Sequence, residues 1–167
     1  MVTMLSLKKG KYQNAILYLC QKLGGELRGK KKLAKLLYYV DFDLYEKSQR
    51  SLTGDVYKAL PMGPYPTHLE GMVAEMQKKG VLEVSQSPGV DGYNPTEVYV
   101  CIKEPSLSVF DNEEKKMLDR VIQKYGHLTG TQLQHLSHTE APYVGTELSH
   151  EIPYELAYYR GTNFAEA

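Results

Sequence analysis

Residues 30–47 read KKKLAKLLYYVDFDLYEK. Leu33, Leu36, Leu37, Val40 and Leu44 recur at helical spacing and make one apolar face, while Tyr38, Phe42 and Tyr45 make a second, nearly opposite one. A helix that is apolar on two sides is covered on two sides, so this segment is expected to be the central helix of the fold. Asp41 falls at the edge between the two faces. A carboxylate there has to be solvated or hydrogen-bonded, because burying it unpaired is costly. Asp43 lies two residues on and points about 200° away by helix geometry, so the two carboxylates are not expected to share a site.

Outward from this helix the pattern stays mostly helical. Upstream, YQNAILYLCQKL (12–23) places Ile16, Leu19, Cys20 and Leu23 on one stripe, ended by Gly24-Gly25. Downstream, TGDVYKALPMGPYP (53–66) reads as a stiff, aromatic turn, in which residues 55–59 could add a short strand. Thr67 and Glu70 have the spacing of a capping box, opening a helix with Leu69, Met72, Val73 and Met76 inward and Gly80 at its end. VLEVS (81–85) and EVYVCIK (97–103) read as a hairpin around the polar loop SPGVDGYNPT. Asp111 with Glu114 and Thr129 with Gln132 form two more capping boxes. The first opens a helix with Leu118, Val121, Ile122 and Tyr125 inward. The second opens a short helix to about His138, stapled by Leu128 and Leu133. A last short helix is expected near 154–159. The fold class is therefore α+β and mostly α-helical: one domain over residues 1–167, core about 12–160, with a small antiparallel sheet.

Composition narrows the function. The chain has 167 residues and zero net charge, but residues 1–58 hold 12 Lys and Arg against 5 Asp and Glu, and the remainder holds 8 against 15. The positive half centres on RGKKKLAK (28–35), which can draw nucleic acid or an acidic protein. No apolar run approaches the ~18 residues of a membrane span, and the lysines follow the first apolar residues, the reverse of a secretory signal. A cytoplasmic location without membrane contact is expected. Cys20 and Cys101 lack CxxC neighbours, sit in apolar surroundings and read as buried free thiols. The 14 tyrosines, with no tryptophan, suit core edges and protein interfaces.

Catalytic and cofactor signatures are sparse. His135 and His138 with Glu140 and His150 lack an HExxH or paired-cysteine pattern. There is no GxSxG, GxGxxG or GxxxxGK[ST]. No cofactor, metal or catalysis is expected. A helix at 67–79 followed by two strands has the order of a winged helix-turn-helix, with Lys30, Lys31 and Lys32 as candidate nucleic-acid contacts. That helix, however, offers Glu70 and Glu75 where a reading helix would offer Arg, Lys, Asn or Gln. The proline- and glycine-fixed turn presenting Tyr65 fits the preorganised aromatic anchor of a protein interface.

The order of several short motifs resembles the SocA-like antitoxin family, also called the Panacea domain or phage-associated GepA-like family. They are Leu37, Tyr38 and Asp41; Gly54, Asp55 and Tyr57; Gly63-Pro64; Tyr125, Gly126, Leu128 and Thr129; and Leu136, Ser137, His138, Glu140 and Pro142. The resemblance spans about residues 12–160. Where the family often has an aromatic, commonly Trp, after the last proline, this chain has Tyr143.

The resemblance implies a non-enzymatic antitoxin of a bacterial or phage type II toxin–antitoxin system, neutralising a toxin encoded by the adjacent gene through direct binding. Delivery of the toxin to a protease, as an adaptor, is an alternative route. A winged-helix regulator that binds its own operator is the rival function, and a homodimer is a further candidate assembly. The candidate partner contacts are Tyr38, Asp41, Tyr45, Tyr57, Gly63, Pro64 and Tyr65.

Overall fold

The computed structural model describes residues 7–88 and 96–165; the tip of the loop between the last two strands lies outside them. Six α-helices and five strands follow one another along these residues: α1 (Lys9–Lys22), β1 (Glu26–Arg28), α2 (Lys30–Ser48), β2 (Tyr57–Leu60), β3 (Gly63–Pro66), α3 (Leu69–Lys78), β4 (Leu82–Ser87), β5 (Thr96–Cys101), α4 (Asn112–Tyr125), α5 (Gly130–His138) and α6 (Ala141–Val144). A 3-10 helix, Tyr154–Arg160, closes the order. The expected α+β, mostly helical class is what forms. None of the described helices is long and apolar enough to cross a membrane.

The two-faced sequence of α2 makes it the axis of the molecule. Every residue from Leu33 to Leu44 is buried. One side meets α4 and α5, and others meet β1, β3 and the C-terminal 3-10 helix. The apolar stripe of α1 is buried at Ile16, Leu19 and Cys20. Gly24 and Gly25, with φ of 98° and 94°, then turn the chain through a backbone region closed to most side chains.

The strands depart from expectation in two ways. TGDVYKALPMGPYP is not a plain turn. It forms a hairpin in which Tyr57 faces Pro66, Lys58 faces Tyr65, Ala59 faces Pro64 and Leu60 faces Gly63, closed by Pro61-Met62. Pro64 and Pro66 lack the N–H that a central strand would need, and β3 tolerates them because its sheet has only two strands. The larger sheet has the order β1-β5-β4. Its third strand is therefore Glu26–Arg28 and not the 55–59 segment, with Leu27 and Val84 flanking Tyr99 from either side.

Helix starts separate the caps that form from one that does not. Asp111 accepts from the Glu114 N–H at 2.8 Å while the Asp111 N–H donates to Glu114 Oε1 at 2.9 Å. The Thr129–Gln132 pair closes in the same reciprocal way, at 3.1 and 2.9 Å. The box expected at Thr67–Glu70 is absent: α3 starts at Leu69 without a side-chain cap. Thr67 Oγ1 lies 3.3 Å from the buried carboxylate of Asp55, the His68 N–H donates to that carboxylate at 3.0 Å, and Glu70 is taken by Lys30 at 2.8 Å. The two thiols are free, but only Cys20 is buried as expected; Cys101, the last residue of β5, is half-buried.

Candidate functional site

Two buried carboxylates fix the 52–68 segment against the helices. Asp41 has no exposed surface and accepts four hydrogen bonds: the N–H groups of Leu52 and Thr53 at 2.8 Å each, and the hydroxyls of Thr53 and Tyr57 at 2.6 Å each. Burial pushes its carboxyl up to about 6, against the pull of those donors. Asp55 accepts from Tyr12 Oη at 2.6 Å, from the N–H groups of Val56 and His68, and from the His68 ring at 2.7 Å.

Asp43 points elsewhere, as its offset of two residues requires. It pairs with Arg120 at 2.9 Å and with Arg160, which also reaches Glu46 at 2.8 Å and Glu140 at 3.4 Å. Glu140 accepts in addition from Tyr38 Oη at 2.7 Å and Tyr39 Oη at 3.1 Å. Burial holds the Asp43 and Glu140 carboxyls above their ordinary values, and Arg160 opposes it in both.

The outer side of the hairpin meets the start of α2 in an open groove of 460 Å³. Leu60, Pro61, Met62 and Tyr65 supply its apolar walls, Gly63 part of its backbone, and Lys30, Lys31 and Lys35 its only cations. Met62, at the hairpin tip, is 57% exposed. Lys35 is 1% exposed, and its ammonium donates to the Pro64 carbonyl at 3.1 Å. Burial, with Lys31 adding repulsion, pulls the Lys35 ammonium down to about 8.

The close approach of Lys35 demands Gly63. A Cβ on that residue would stand 2.5 Å from Lys35 Cε and 3.2 Å from Ser137 Oγ, and its φ is +112°. Beneath the hairpin, His138 stacks on Tyr143 with ring centres 4.4 Å apart, and Tyr143 Oη donates to the Leu60 carbonyl at 2.7 Å. Burial and the nearby Lys35 hold the His138 imidazolium below its ordinary range.

The residues singled out in the sequence divide by depth. Tyr38, Asp41 and Tyr57 lie in the interior and use their polar atoms on internal partners. Gly63 and Pro64 are buried parts of the groove's strand. Tyr65 is half-buried, with its ring on the groove and its hydroxyl 3.4 Å from Glu70. Tyr45 lies apart, half-buried and stacked on Tyr154 at 5.2 Å.

The three lysines separate too. Lys30 is paired with Glu70 and Lys32 donates to the Gly126 carbonyl at 2.7 Å. Lys31 has no hydrogen-bond or ion-pair partner among the described residues. Sequence reading placed the lysines and the Gly-Pro turn in different functional classes, and the fold puts Lys30 and Lys31 beside Gly63 and Tyr65. It overlooked Lys35 and Met62. Lys35 carried a signal: it stands four residues after Lys31, hence on the same helical face.

Among the described residues no group of three or more His, Cys, Asp or Glu side chains is placed to hold a metal ion. The family model described as antitoxin SocA-like, Panacea domain, matches residues 33–143, from the first turn of α2 into α6. Comparison with curated proteins and with solved structures returns no match. The match covers well over half of the chain and takes in the Asp41 and Asp55 hubs, the hairpin and Glu140, which gives the chain an antitoxin-type role. The chain belongs to the SocA-like antitoxin family and carries its Panacea domain.

Proposed function

We propose that this chain is the antitoxin of a type II toxin–antitoxin pair, that it neutralises its toxin by direct protein–protein contact rather than by catalysis, and that the contact centres on the groove between the hairpin and α2. The observation that carries the reading is the family match over residues 33–143. The groove supports the location. Its hairpin is anchored from inside by Asp41, Asp55 and Tyr143, so an anchor such as Met62 or Tyr65 is presented with little ordering left to be lost on binding. Tyr38, Asp41 and Tyr57 then act by shaping the hairpin, and Tyr65 is the tyrosine that touches the partner.

Operator binding draws less support. Among the described residues only Lys31 of Lys30–Lys32 lacks a partner, and α3 exposes an acidic Glu70 while its Glu75 faces α1 and accepts from Gln13 at 3.1 Å. The deciding experiment is controlled co-expression with the adjacent gene. Growth arrest by that gene, relieved by this chain at unchanged toxin level, is the expected result. A falling toxin level indicates delivery to a protease, and an unrelieved arrest overturns the reading.

A further inference from the structure

Sheet edges carry unpaired N–H and C=O groups, and folds cover or blunt them so that other chains do not add a strand. The two sheets of the described residues have four edges, and three are closed in this way. On β2, the Ala59 N–H donates to the His150 carbonyl at 3.0 Å, and the Ala59 carbonyl accepts from Ser149 at 2.7 Å. On β3, the outward positions are Pro64 and Pro66, which have no N–H, and the Pro64 carbonyl accepts from Lys35. β1 is three residues long, and its outward residues, Glu26 and Arg28, are charged and paired with each other at 3.3 Å. The free edge of β4 has none of these devices. The Ile102 N–H donates to the Val81 carbonyl. By the alternation of an antiparallel ladder, Glu83, Ser85 and Ser87 therefore bond to β5, and Leu82, Val84 and Gln86 face outward. Among the described residues nothing meets the outward N–H and C=O groups of those three. Leu82–Ser87 contains no proline, no lysine and no bulge, and Glu83 is its single charge.

We infer that β4 pairs with β4 of a second copy of this chain, antiparallel and about a two-fold axis, so that two sheets join into one. The strand's own sequence sets the register. Pairing centred on Val84 places Val84 opposite Val84, Leu82 opposite Gln86 and Glu83 opposite Ser85 of the other copy. All three outward residues then exchange hydrogen bonds, about six in total. The neighbouring register, Leu82 opposite Val84, sets Glu83 against Glu83, and like charges directly opposite destabilise a pair. The other neighbour, Val84 opposite Gln86, leaves Leu82 without a partner inside the strand. Val84 is half-buried against the core, so the central pair covers apolar surface as well as backbone. A single strand pair is small beside a usual specific interface, which makes the dimer concentration-dependent. No residue of β4 lines the groove between the hairpin and α2, so self-pairing and the proposed toxin contact use different surfaces.

Analytical ultracentrifugation and amide hydrogen exchange on the intact chain test this. From roughly 10 μM to 1 mM the mean mass should rise from that of one chain towards that of two. Over the same range the amides of Leu82, Val84 and Gln86 should slow in exchange, while those of Glu83 and Ser85 are slow throughout. Gln86→Pro removes an outward N–H and spares the ladder to β5, so it should weaken the dimer about tenfold and leave the monomer folded. Ser85→Glu sets two carboxylates opposite each other and should weaken the dimer too. Ser85→Lys faces Glu83 of the other copy and should tighten it about threefold. A chain that stays monomeric at the highest concentration overturns the inference. So does a dimer that Gln86→Pro and both Ser85 variants leave unchanged, because it forms through another surface. Edge amides that slow only when the adjacent gene's product is present show a partner strand on the edge, and self-pairing is then wrong.

Discussion

The Tyr57 hydroxyl donates to Asp41 Oδ2 at 2.6 Å, joining the first strand of the hairpin to the middle of α2. The same carboxylate receives the N–H groups of Leu52 and Thr53 and the Thr53 hydroxyl, so one α2 side chain organises the whole approach to the hairpin. Asp41→Ala leaves these donors buried without an acceptor and is expected to cost about 3 kcal/mol or more. Tyr57→Phe removes one donor of four and should cost about 1–2 kcal/mol. Urea denaturation midpoints check both, and equal losses for the two variants would contradict the hub.

Asp41 also sets a pH dependence of unusual sign. Its carboxyl is raised by burial to about 6, above the ordinary aspartate value of ~4. Between those values the folded state binds more protons than the unfolded one, so stability falls as pH rises from ~4 to about 6. The ionised form present at neutral pH carries a cost of about 3 kcal/mol relative to the neutral form. Asp41→Asn keeps the shape and cannot titrate, and its amide NH₂ can donate to the Thr53 or Tyr57 oxygen. Asp43 and Glu140, raised in the same direction, contribute to both proteins. The difference between wild type and Asp41→Asn therefore isolates Asp41, and that difference should change across pH 4–6. A flat difference would sink the prediction.

Lys35 is expected to be a destabilising residue. Its ammonium is lowered to about 8 from an ordinary ~10.4, so the folded state binds fewer protons than the unfolded one in that window. Stability due to this group therefore rises as pH climbs from about 8 towards ~10.4 and is at its lowest below about 8. Lys35→Met, which replaces a buried charge with a chain of similar length, should raise the urea midpoint at pH 7 by the equivalent of about 1–2 kcal/mol. The gain should shrink as pH approaches ~10. A destabilised Lys35→Met at pH 7 would show that the Pro64 carbonyl alone satisfies the ammonium.

Gly63→Ala should be costly for two independent reasons. The φ of +112° is strained for any L side chain, and the added Cβ would stand 2.5 Å from Lys35 Cε. A loss of about 2–3 kcal/mol is expected. In the double variant with Lys35→Ala the steric part should be relieved and the backbone part should remain, so the two effects should be less than additive. Additive losses would mean that Lys35 moves aside freely.

Local chemistry was legible in the sequence and distant competition was not. α2 could be read because its two apolar faces are written in consecutive turns, and both reciprocal caps at Asp111 and Thr129 formed because their partners lie three residues away. The third cap failed because Thr67 and His68 are drawn to Asp55, more than ten residues upstream, and that carboxylate is itself held in the core by Tyr12. β1 was too short at three residues to show alternation, and the prolines of β3 argued against a strand that forms because its sheet ends there. The site was half legible. The Gly-Pro turn and the lysine cluster were each visible, but their meeting in one groove depends on the hairpin folding back across the first turns of α2, a relationship that no local pattern encodes.

The hairpin tip offers the cleanest separation of stability from function. Met62 is 57% exposed and sits in a two-residue connection, so Met62→Asp should change folding stability by no more than about 0.5 kcal/mol. Its effect on the proposed contact is expected to be large. It deletes the apolar anchor and sets a charge at the edge of a groove whose walls are apolar. Toxin affinity should fall about tenfold or more, visible as failure to relieve growth arrest on co-expression at equal protein levels. Ile102→Asp, at a 55% exposed position outside the groove, makes the same chemical change and should leave relief intact. If both variants lose relief, the effect is one of surface charge in general. If neither does, the toxin docks elsewhere on the molecule.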